Sequence, residues 1–233
     1  FPAWVWTKAP HKKFMCISYS SKFAERDSRK CRDLVNSDWY QQRFSVRLAS
    51  DQREKVNFEN TEKGFRKAYG MTGITGDHGD FLIVDDPLNI EEAESQVARD
   101  NANYVMDDVL PSRVNDPQES VTILIMQRLN EDDPTGHKMK EGGWELLCLP
   151  MEYEGERFVS SLGFKDFRTE KGELLWTERF PESVLVPLRT NKRKYAGQYQ
   201  QRPAPLAGNI FLREWFEHRY EGVKIAGFYL SVD

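Results

Sequence analysis

Two short segments of this chain are apolar at nearly every position, as buried strands are. Residues 81–84 read FLIV, and residues 120–126 read SVTILIM. Strands that are apolar on both faces are typical of parallel sheets covered by helices on each side. A third strand is predicted over residues 12–19, KKFMCISY. Ser20 and Ser21 follow it directly and can cap a helix that continues to residue 36.

Further elements follow the same alternation of strand and helix. Two alternating runs within residues 55–71 predict a hairpin around a turn at residues 61–64. Residues 91–110 predict one long helix, acidic at its start and ended by Pro111, with Ala93, Val97, Val105 and Val109 as its buried stripe. A helical turn is predicted from Asp133 and another strand over residues 144–149. The pattern favours an α/β fold with a largely parallel sheet.

The chain changes character after Pro150, where short charged segments replace the apolar strands. Residues 182–201 predict two helices that are broken near residues 190–191. A final strand is predicted over residues 225–232, ending in Asp233. We therefore divide the chain into residues 1–150, 151–222 and 223–233.

Composition narrows the class of protein. The 233 residues carry a formal net charge of -4, which is the wrong sign for a domain whose main task is to hold DNA by its phosphates. No apolar run approaches the roughly 18 residues of a membrane span, so we expect a cytoplasmic protein without membrane contact. The three cysteines and four histidines lack the spacing of a structural metal site or a disulfide framework.

The strand at residues 81–84 ends in two adjacent carboxylates, Asp85 and Asp86. In phosphate-binding α/β ATPases the first carboxylate at such a strand tip holds Mg²⁺ through water, and the next polarises the water that attacks the γ-phosphate. Two aspartates that cap the next turn are an equal alternative on this pattern alone. No segment reads G-x-x-x-x-G-K-[ST], so the sequence predicts only half of a Mg²⁺–ATP site.

Gln127 and Arg128 follow the second apolar strand. In a parallel sheet their strand tip lies beside Asp86, so the Gln127 amide is a candidate to sense the γ-phosphate or to orient water. Arg128 is a candidate to respond when that phosphate leaves. The alternatives are an ordinary polar strand exit for Gln127 and a salt bridge to an acidic residue at 131–133 for Arg128.

Taken together and in this order, several motifs resemble the large subunit of the tailed-phage terminase, the DNA-packaging motor. The main matching segments are IVDDP at 83–87, QRLNEDD at 127–133 with Gly136, Leu149 with Pro150, and YAGQYQQRP at 195–203 with Gly208. Upstream, the matching positions are 18–20, Ser28, Arg32, 37–40 and 75–76. The resemblance covers nearly the whole chain.

The resemblance implies a fold and a set of roles. The fold is a three-layer α/β sheet of the P-loop ATPase type, incomplete because the phosphate loop is missing, with a small helical lid. Asp85 takes the Mg²⁺-holding role, Asp86 the catalytic carboxylate, and Gln127 with Arg128 the motif that couples hydrolysis to movement. Residues 151–222 correspond to the lid and linker, and residues 223–233 to the first nuclease strand, with Asp233 as a metal ligand.

The same resemblance implies the partners of the intact protein. These are Mg²⁺, ATP, double-stranded viral DNA, the portal protein, the terminase small subunit and further copies of the chain in a ring. The chain departs from many relatives at Asp86, where they have Glu, and at residues 77–78, where they often have an arginine. We expect a fragment that neither hydrolyses ATP nor cuts DNA alone. A non-catalytic prophage remnant and a two-metal nuclease using Asp85, Asp86 and Asp233 are the alternatives.

Overall fold

A computed structural model of the protein describes residues 1–53, 56–155 and 159–203. In these residues the backbone forms a six-stranded sheet in the order β2-β3-β4-β1-β5-β6. Its strands are β1 Phe14–Ser18, β2 Leu48–Arg53, β3 Phe58–Asn60, β4 Phe65–Gly70, β5 Phe81–Asp85 and β6 Val121–Ile125. The strands β4, β1, β5 and β6 run parallel, whereas β3 is antiparallel to both of its neighbours. The predicted α/β fold with a largely parallel sheet is confirmed.

Helices and helical turns precede, connect and follow these strands in the described residues. The α-helices are α1 Pro2–Trp6, α2 Ser21–Asn36, α3 Asp38–Gln41, α4 Gln96–Tyr104, α5 Pro134–Glu141, α6 Glu182–Arg189 and α7 Lys192–Lys194. Turns of 3₁₀-helix lie at Glu92–Glu94 and Leu110–Arg113, and π-helical turns at Val105–Val109 and Tyr195–Tyr199. The predicted strands at 12–19, 81–84 and 120–126, the hairpin, and the helix over 20–36 all form close to their expected bounds.

The sheet has a hydrophobic cluster on each face, because successive side chains of a strand point to opposite sides. On one face, Phe14 and Cys16 pack with Trp6 of α1 and Val35 of α2. On the other face the cluster is built from Met15, Ile17, Leu82, Val84, Met106 and Leu110. Both clusters pack against the central strands β1 and β5. This packing fixes the position at which these two strands end.

The prediction of one continuous helix over residues 91–110 is wrong, because the helix is interrupted. A 3₁₀ turn precedes α4, and further helical turns carry the chain past Pro111 to residue 113. Ser95 interrupts the helix because its side chain accepts a hydrogen bond from the Ala98 N–H at 3.4 Å, and serine is a preferred residue for starting a helix. Val97, predicted to be buried, is 70% exposed as a result, whereas Ala93 is buried as predicted.

The strand predicted over residues 144–149 is also wrong. This segment is irregular in the structure and pairs with no strand in the described part of the chain. A β-propensity pattern produces a strand only where a partner offers backbone groups for hydrogen bonding. Residues 144–149 instead face β6 across a groove.

In residues 151–155 and 159–203, a small hydrophobic cluster is built from Met151, Leu185 and Tyr195. The guanidinium of Arg168, which is 3% exposed, donates to the Pro150 carbonyl at 2.7 Å and forms an ion pair with Asp166 at 2.7 Å. The predicted break near residues 190–191 lies between α6 and α7. The domain boundaries stay predictions, and the segment 223–233 with Asp233 lies outside the described residues.

Candidate phosphate-binding site

Three neighbouring parallel strands end at the same level of the sheet. Ser18 at the end of β1 is paired with Asp85 at the end of β5, and Asp85 is paired with Ile125 at the end of β6. The residues just beyond these tips therefore converge at one edge. Open α/β sheets bind ligands at this carboxyl edge.

Asp86 joins the three strand tips through its backbone. Its N–H donates to the Ile125 carbonyl at 2.8 Å, and its carbonyl accepts from the Tyr19 N–H at 3.0 Å. Its φ of 46° lies in the left-handed region, where aspartate is one of the few residues other than glycine that is tolerated. Strained conformations of this kind concentrate at functional sites, and this one is held by hydrogen bonds on both sides.

A cavity of about 470 Å³ opens beside Asp86. Asp86, Gln127 and Tyr19 line it, together with Leu88, Asn89, Ile90, Glu91 and Leu129. The backbone N–H of Gln127 lies near the Asp86 carboxylate and lowers its pKa. The structure thus brings together two of the predicted site residues, Asp86 and Gln127, in one solvent-accessible pocket.

Asp85 lies on the other side of the same edge. It is exposed and borders a smaller cavity of about 130 Å³ that Asp27 and Arg66 also line. Arg66 is 6% exposed, and its Nε and Nη1 atoms have no hydrogen-bond partner among the described residues. The two adjacent carboxylates therefore diverge, with Asp85 towards α2 and Asp86 towards the Gln127 cavity.

Both carboxylates have raised pKa values. For Asp85 the main cause is the loss of surrounding water, and the charges of Asp86 and Asp27 add to it while Arg26 opposes it. Loss of water also raises the pKa of Asp86, and the nearby backbone N–H of Gln127 partly offsets this rise. The strand tips thus carry negative charge that nearby cations do not fully balance.

This donor set fits a magnesium ion. Mg²⁺ prefers oxygen ligands, uses one or two protein carboxylates and keeps several of its waters. A cation at the strand tips would also relieve the unbalanced charge that raises the pKa of Asp85. Asp85 would hold the ion through water, with Ser18, which lines the same small cavity, as a neighbouring oxygen donor.

Arg128 is turned away from the cavity of Asp86. Its Nε lies 2.9 Å from Oδ1 of Asp133, and its Nη2 donates to the carbonyls of Asn130 and Glu131 at 3.3 and 3.4 Å. The structure therefore has the salt bridge that the sequence analysis weighed as the alternative for Arg128. Its role in coupling hydrolysis to movement stays a prediction.

Sequence reasoning missed two residues of this site. Tyr19 lines the cavity, and its position directly after a buried parallel strand was the available signal. Asp133 was predicted to start a helix and was one of three possible salt-bridge partners of Arg128, but it was not predicted to organise the site. In the structure it is fully buried and holds the loop that follows Gln127.

Another cluster of polar groups is already neutralised. Asp107, His137 and Glu141 lie close enough together to ligate a metal. The Lys138 ammonium, however, lies 2.6 Å from the carboxylates of both Asp107 and Glu141. Because this lysine supplies the positive charge, the cluster is an ion-pair network between α5 and the π-helical turn Val105–Val109.

Comparisons with solved structures give a similarity of fold. No family model matches the sequence, and no curated protein matches it either. Among solved structures, the chain is similar to the crystal structure of the HK97 bacteriophage large terminase, with a TM-score of 0.48 and 12% sequence identity. The match covers 88% of this chain and 43% of the terminase, so the chain spans less than half of that protein's length. No helix in the described ranges combines the length and apolarity needed to cross a membrane.

The raised pKa of Asp85 predicts that Asp85→Asn stabilises the folded chain at neutral pH. The folded state binds this proton more tightly than the unfolded state, so stability falls as pH rises from the unfolded pKa, about 3.9, to the folded one. The ionised carboxylate is therefore a net cost at pH 7, and asparagine removes it.

We expect the Asp85→Asn variant to melt at a higher temperature than the parent at pH 7. The difference should shrink as the pH falls towards about 4, because the folded state then binds the proton and the unfolded state begins to bind it. Thermal melts between pH 4 and 8 measure this, with the exposed Asp108 changed to asparagine as the control. An equal gain in both variants, or a gain that grows on acidification, would contradict the prediction.

Proposed function

We propose that this chain is part of a phage terminase large subunit and contributes the catalytic corner of its ATPase. The observation that carries the proposal is the convergence of Asp86 and Gln127 on one cavity at the carboxyl ends of adjacent parallel strands. The motifs at 83–87, 127–133 and 195–203, which occur in the terminase order, support the assignment to this family. The less specific part of the proposal is that this edge of the sheet binds a nucleotide, and this part rests on the geometry of the site alone.

The proposed reaction is hydrolysis of the γ-phosphate of ATP. A water held beside Asp86 attacks the γ-phosphorus and passes a proton to the Asp86 carboxylate, while the bond from the γ-phosphorus to the bridging oxygen breaks and ADP leaves. Asp85 would hold Mg²⁺ through water, and the ion would supply charge stabilisation for the phosphates. The Gln127 side chain, at the rim of the same cavity, orients the water or contacts the γ-phosphate.

The raised pKa of Asp86 makes its carboxylate a stronger base than an ordinary aspartate, as a general base requires. The side chain of Asp86 is shorter than that of a glutamate, and the position of Asp86 compensates for the shorter reach. The left-handed backbone directs Asp86 into the cavity that Gln127 also lines. Asp86 can therefore act as base through one ordered water.

Residues 1–233 contain no phosphate-binding glycine–lysine loop. Asp85 and Asp86 would then meet a triphosphate with repulsion that no lysine or cradle of backbone amides compensates. We therefore expect no ATP turnover by this chain alone. A polypeptide that also carries a phosphate loop is expected to hydrolyse ATP.

Phosphate release assays on both polypeptides test this. In the longer polypeptide, Asp86→Asn should lower kcat by about 100-fold or more, the usual range for loss of a general base, while Asp108→Asn should leave it unchanged. Asparagine is a suitable replacement for Asp86 because it also tolerates a left-handed backbone, so the variant should fold as the parent does. Mg²⁺-dependent turnover by residues 1–233 that Asp86→Asn abolishes would refute the expected inactivity of the chain alone.

The wider role follows from the family. The intact protein would use ATP to move double-stranded viral DNA into a capsid in the host cytoplasm, as a ring of copies docked on the portal protein and aided by the small subunit. Residues 223–233 would begin a nuclease domain in which Asp233 binds metal. Residues 151–222 would form the lid and linker, with Arg128 linking hydrolysis to movement.

A further inference from the structure

The backbone of Arg128 is in contact with a distant segment at both of its polar groups. Its N–H donates a hydrogen bond to Oε1 of Gln201 at 3.0 Å, across 73 positions of the chain. Its carbonyl lies against Gly197, where a Cβ would come within 2.9 Å of the carbonyl oxygen. A Cβ at this distance would force the two segments apart, so glycine permits the contact. Two residues of the segment 195–203 therefore hold one residue of the loop after β6.

Gln201 adopts an uncommon backbone conformation where it makes this contact. Its φ of 54° lies in the left-handed region, and glycine is the usual residue in that conformation at the end of a helix. The residue follows the π-helical turn Tyr195–Tyr199, and the next N–H, of Arg202, donates to the Ala196 carbonyl at 2.7 Å. Glycine would make the same turn at a lower cost, but it has no side chain to accept the Arg128 N–H.

The Gln201 side chain is oriented by a second hydrogen bond. Its Nε2 donates to the backbone carbonyl of Gln198 at 2.9 Å, which directs Oε1 at the Arg128 N–H. A side-chain amide offers a donor and an acceptor at once, and Gln201 uses both. The side chain is thus a fixed link between the segment 195–203 and the loop after β6.

This link also restricts Gln127, the residue before Arg128. A peptide bond is planar, so the Arg128 N–H and the Gln127 carbonyl lie in one plane and turn together. On the other side of Gln127, the Ile125 carbonyl accepts a hydrogen bond from the Asp86 N–H at 2.8 Å. Gln127 therefore lies between two points of the backbone that are both held by other segments.

The contact borders the candidate site. Gly197 and Arg128 line a cavity of about 250 Å³. Ile90 and Leu129 line this cavity and also the larger cavity beside Asp86. The segment 195–203 is therefore next to the wall of the Asp86 cavity, although none of its residues lines that cavity.

We propose that Gln201 is a positioning residue for Gln127. Together with Gly197 it holds the Arg128 backbone, so that the Gln127 side chain stays at the cavity of Asp86. The inference rests on the proposed function, in which Gln127 orients the water or contacts the γ-phosphate. It assigns the segment 195–203 a role in the site that acts through the backbone of Arg128 and is separate from the ion pair of its side chain.

Gln201→Gly separates this positioning role from a structural one. Glycine suits the left-handed backbone, so relief of strain offsets the lost hydrogen bond and the melting temperature should stay close to that of the parent. The Arg128 amide should nevertheless exchange about 10-fold faster, because it loses its acceptor. Amides of β1, which is paired on both sides, should not change. NMR spectra of residues 1–233 measure this exchange, and the backbone and side-chain amide signals of Gln127 should shift in the variant.

Two further variants serve as controls. Gln201→Glu keeps an acceptor at the same reach, so it should keep most of the protection of the Arg128 amide and leave the Gln127 signals near their parent positions. Gln198→Ala is the matched control, because Gln201 bonds to the backbone carbonyl of Gln198, which alanine retains. It should change neither the exchange at Arg128 nor the Gln127 signals.

Equal exchange of the Arg128 amide in Gln201→Gly and in the parent would overturn the proposal. Faster exchange that leaves the Gln127 signals in place would overturn it as well, and so would an equal effect of Gln198→Ala. None of these measurements uses nucleotide. If they gave the expected results while Asp86→Asn left phosphate release by the longer polypeptide unchanged, the proposed function alone would be contradicted.

Discussion

Replacing Asp133 with alanine is expected to lower the free energy of unfolding by about 3–5 kcal/mol, the usual cost of breaking a buried ion pair. Asp133 is 0% exposed. Its carboxylate accepts hydrogen bonds from the Arg128 Nε at 2.9 and 3.0 Å and from the backbone N–H groups of Leu129, Asn130 and Gly136 at 2.9, 3.2 and 2.8 Å. Alanine leaves a guanidinium and three backbone donors without this acceptor.

The loss would reach the candidate site through the loop that follows Gln127. Arg128 is held at both ends, since its guanidinium contacts Asp133 and its backbone N–H donates to the Gln201 side chain at 3.0 Å. Without Asp133 this loop loses the group that fixes its turn, so Gln127 is no longer held against Asp86. We expect faster amide exchange at Leu129 and Asn130 before global unfolding.

Urea denaturation of the two neighbouring aspartates separates this effect from a general loss of charge. Asp132 is exposed, and its contact with Lys140 at 2.5 Å is a surface ion pair, so Asp132→Ala should cost about 0–1 kcal/mol. Asp133→Asn keeps one carbonyl acceptor and should fall between the two. Equal costs for Asp132→Ala and Asp133→Ala would show that the buried carboxylate does not organise the loop.

The sequence was a good guide to the position of the strand tips. The apolar runs at 81–84 and 120–126 are buried-strand patterns, and polar residues that follow such strands meet at one edge of a parallel sheet. Asp86 and Gln127 could therefore be paired before any coordinates. Tyr19 follows β1 and reaches the same edge for the same reason, but it was not among the predicted site residues.

Other features depend on contacts that a local pattern does not contain. The left-handed backbone of Asp86 is fixed by hydrogen bonds from two other strands, and Arg128 could have paired with any of three adjacent acids. The break at Ser95 is a local capping choice that competes with a longer helical periodicity. The strand predicted over residues 144–149 needs a partner, which depends on what fills the groove beside β6.

Divergence of the two aspartates also has a physical origin. Asp85 is the last residue of β5 and still follows the strand's alternation, so it points to the face of α2. Asp86 is the first residue beyond the strand, and its positive φ turns it to the edge. One residue can thus approach a metal while its neighbour approaches the attacking water, without the two carboxylates converging.

Replacing Gly136 with alanine is the second change expected to have a large effect. A Cβ at this position would lie 1.9 Å from the Glu131 carbonyl oxygen and 2.7 Å from Nη2 of Arg128. The Gly136 N–H is itself bonded to Asp133, so the backbone cannot withdraw without losing that bond. We expect a loss of about 1–3 kcal/mol or more in the free energy of unfolding, as for other overpacked sites.

Gly73→Ala is the matched control, because its Cβ would meet nothing nearer than the Gly70 carbonyl at 3.7 Å. This change should be close to neutral, or stabilising by about 0.4–1 kcal/mol through the unfolded chain. Urea denaturation of both variants gives the comparison. If Gly136→Ala were as stable as Gly73→Ala, the turn from Arg128 to Gly136 would have room to move, and the loop could not hold Gln127 at a fixed distance from Asp86.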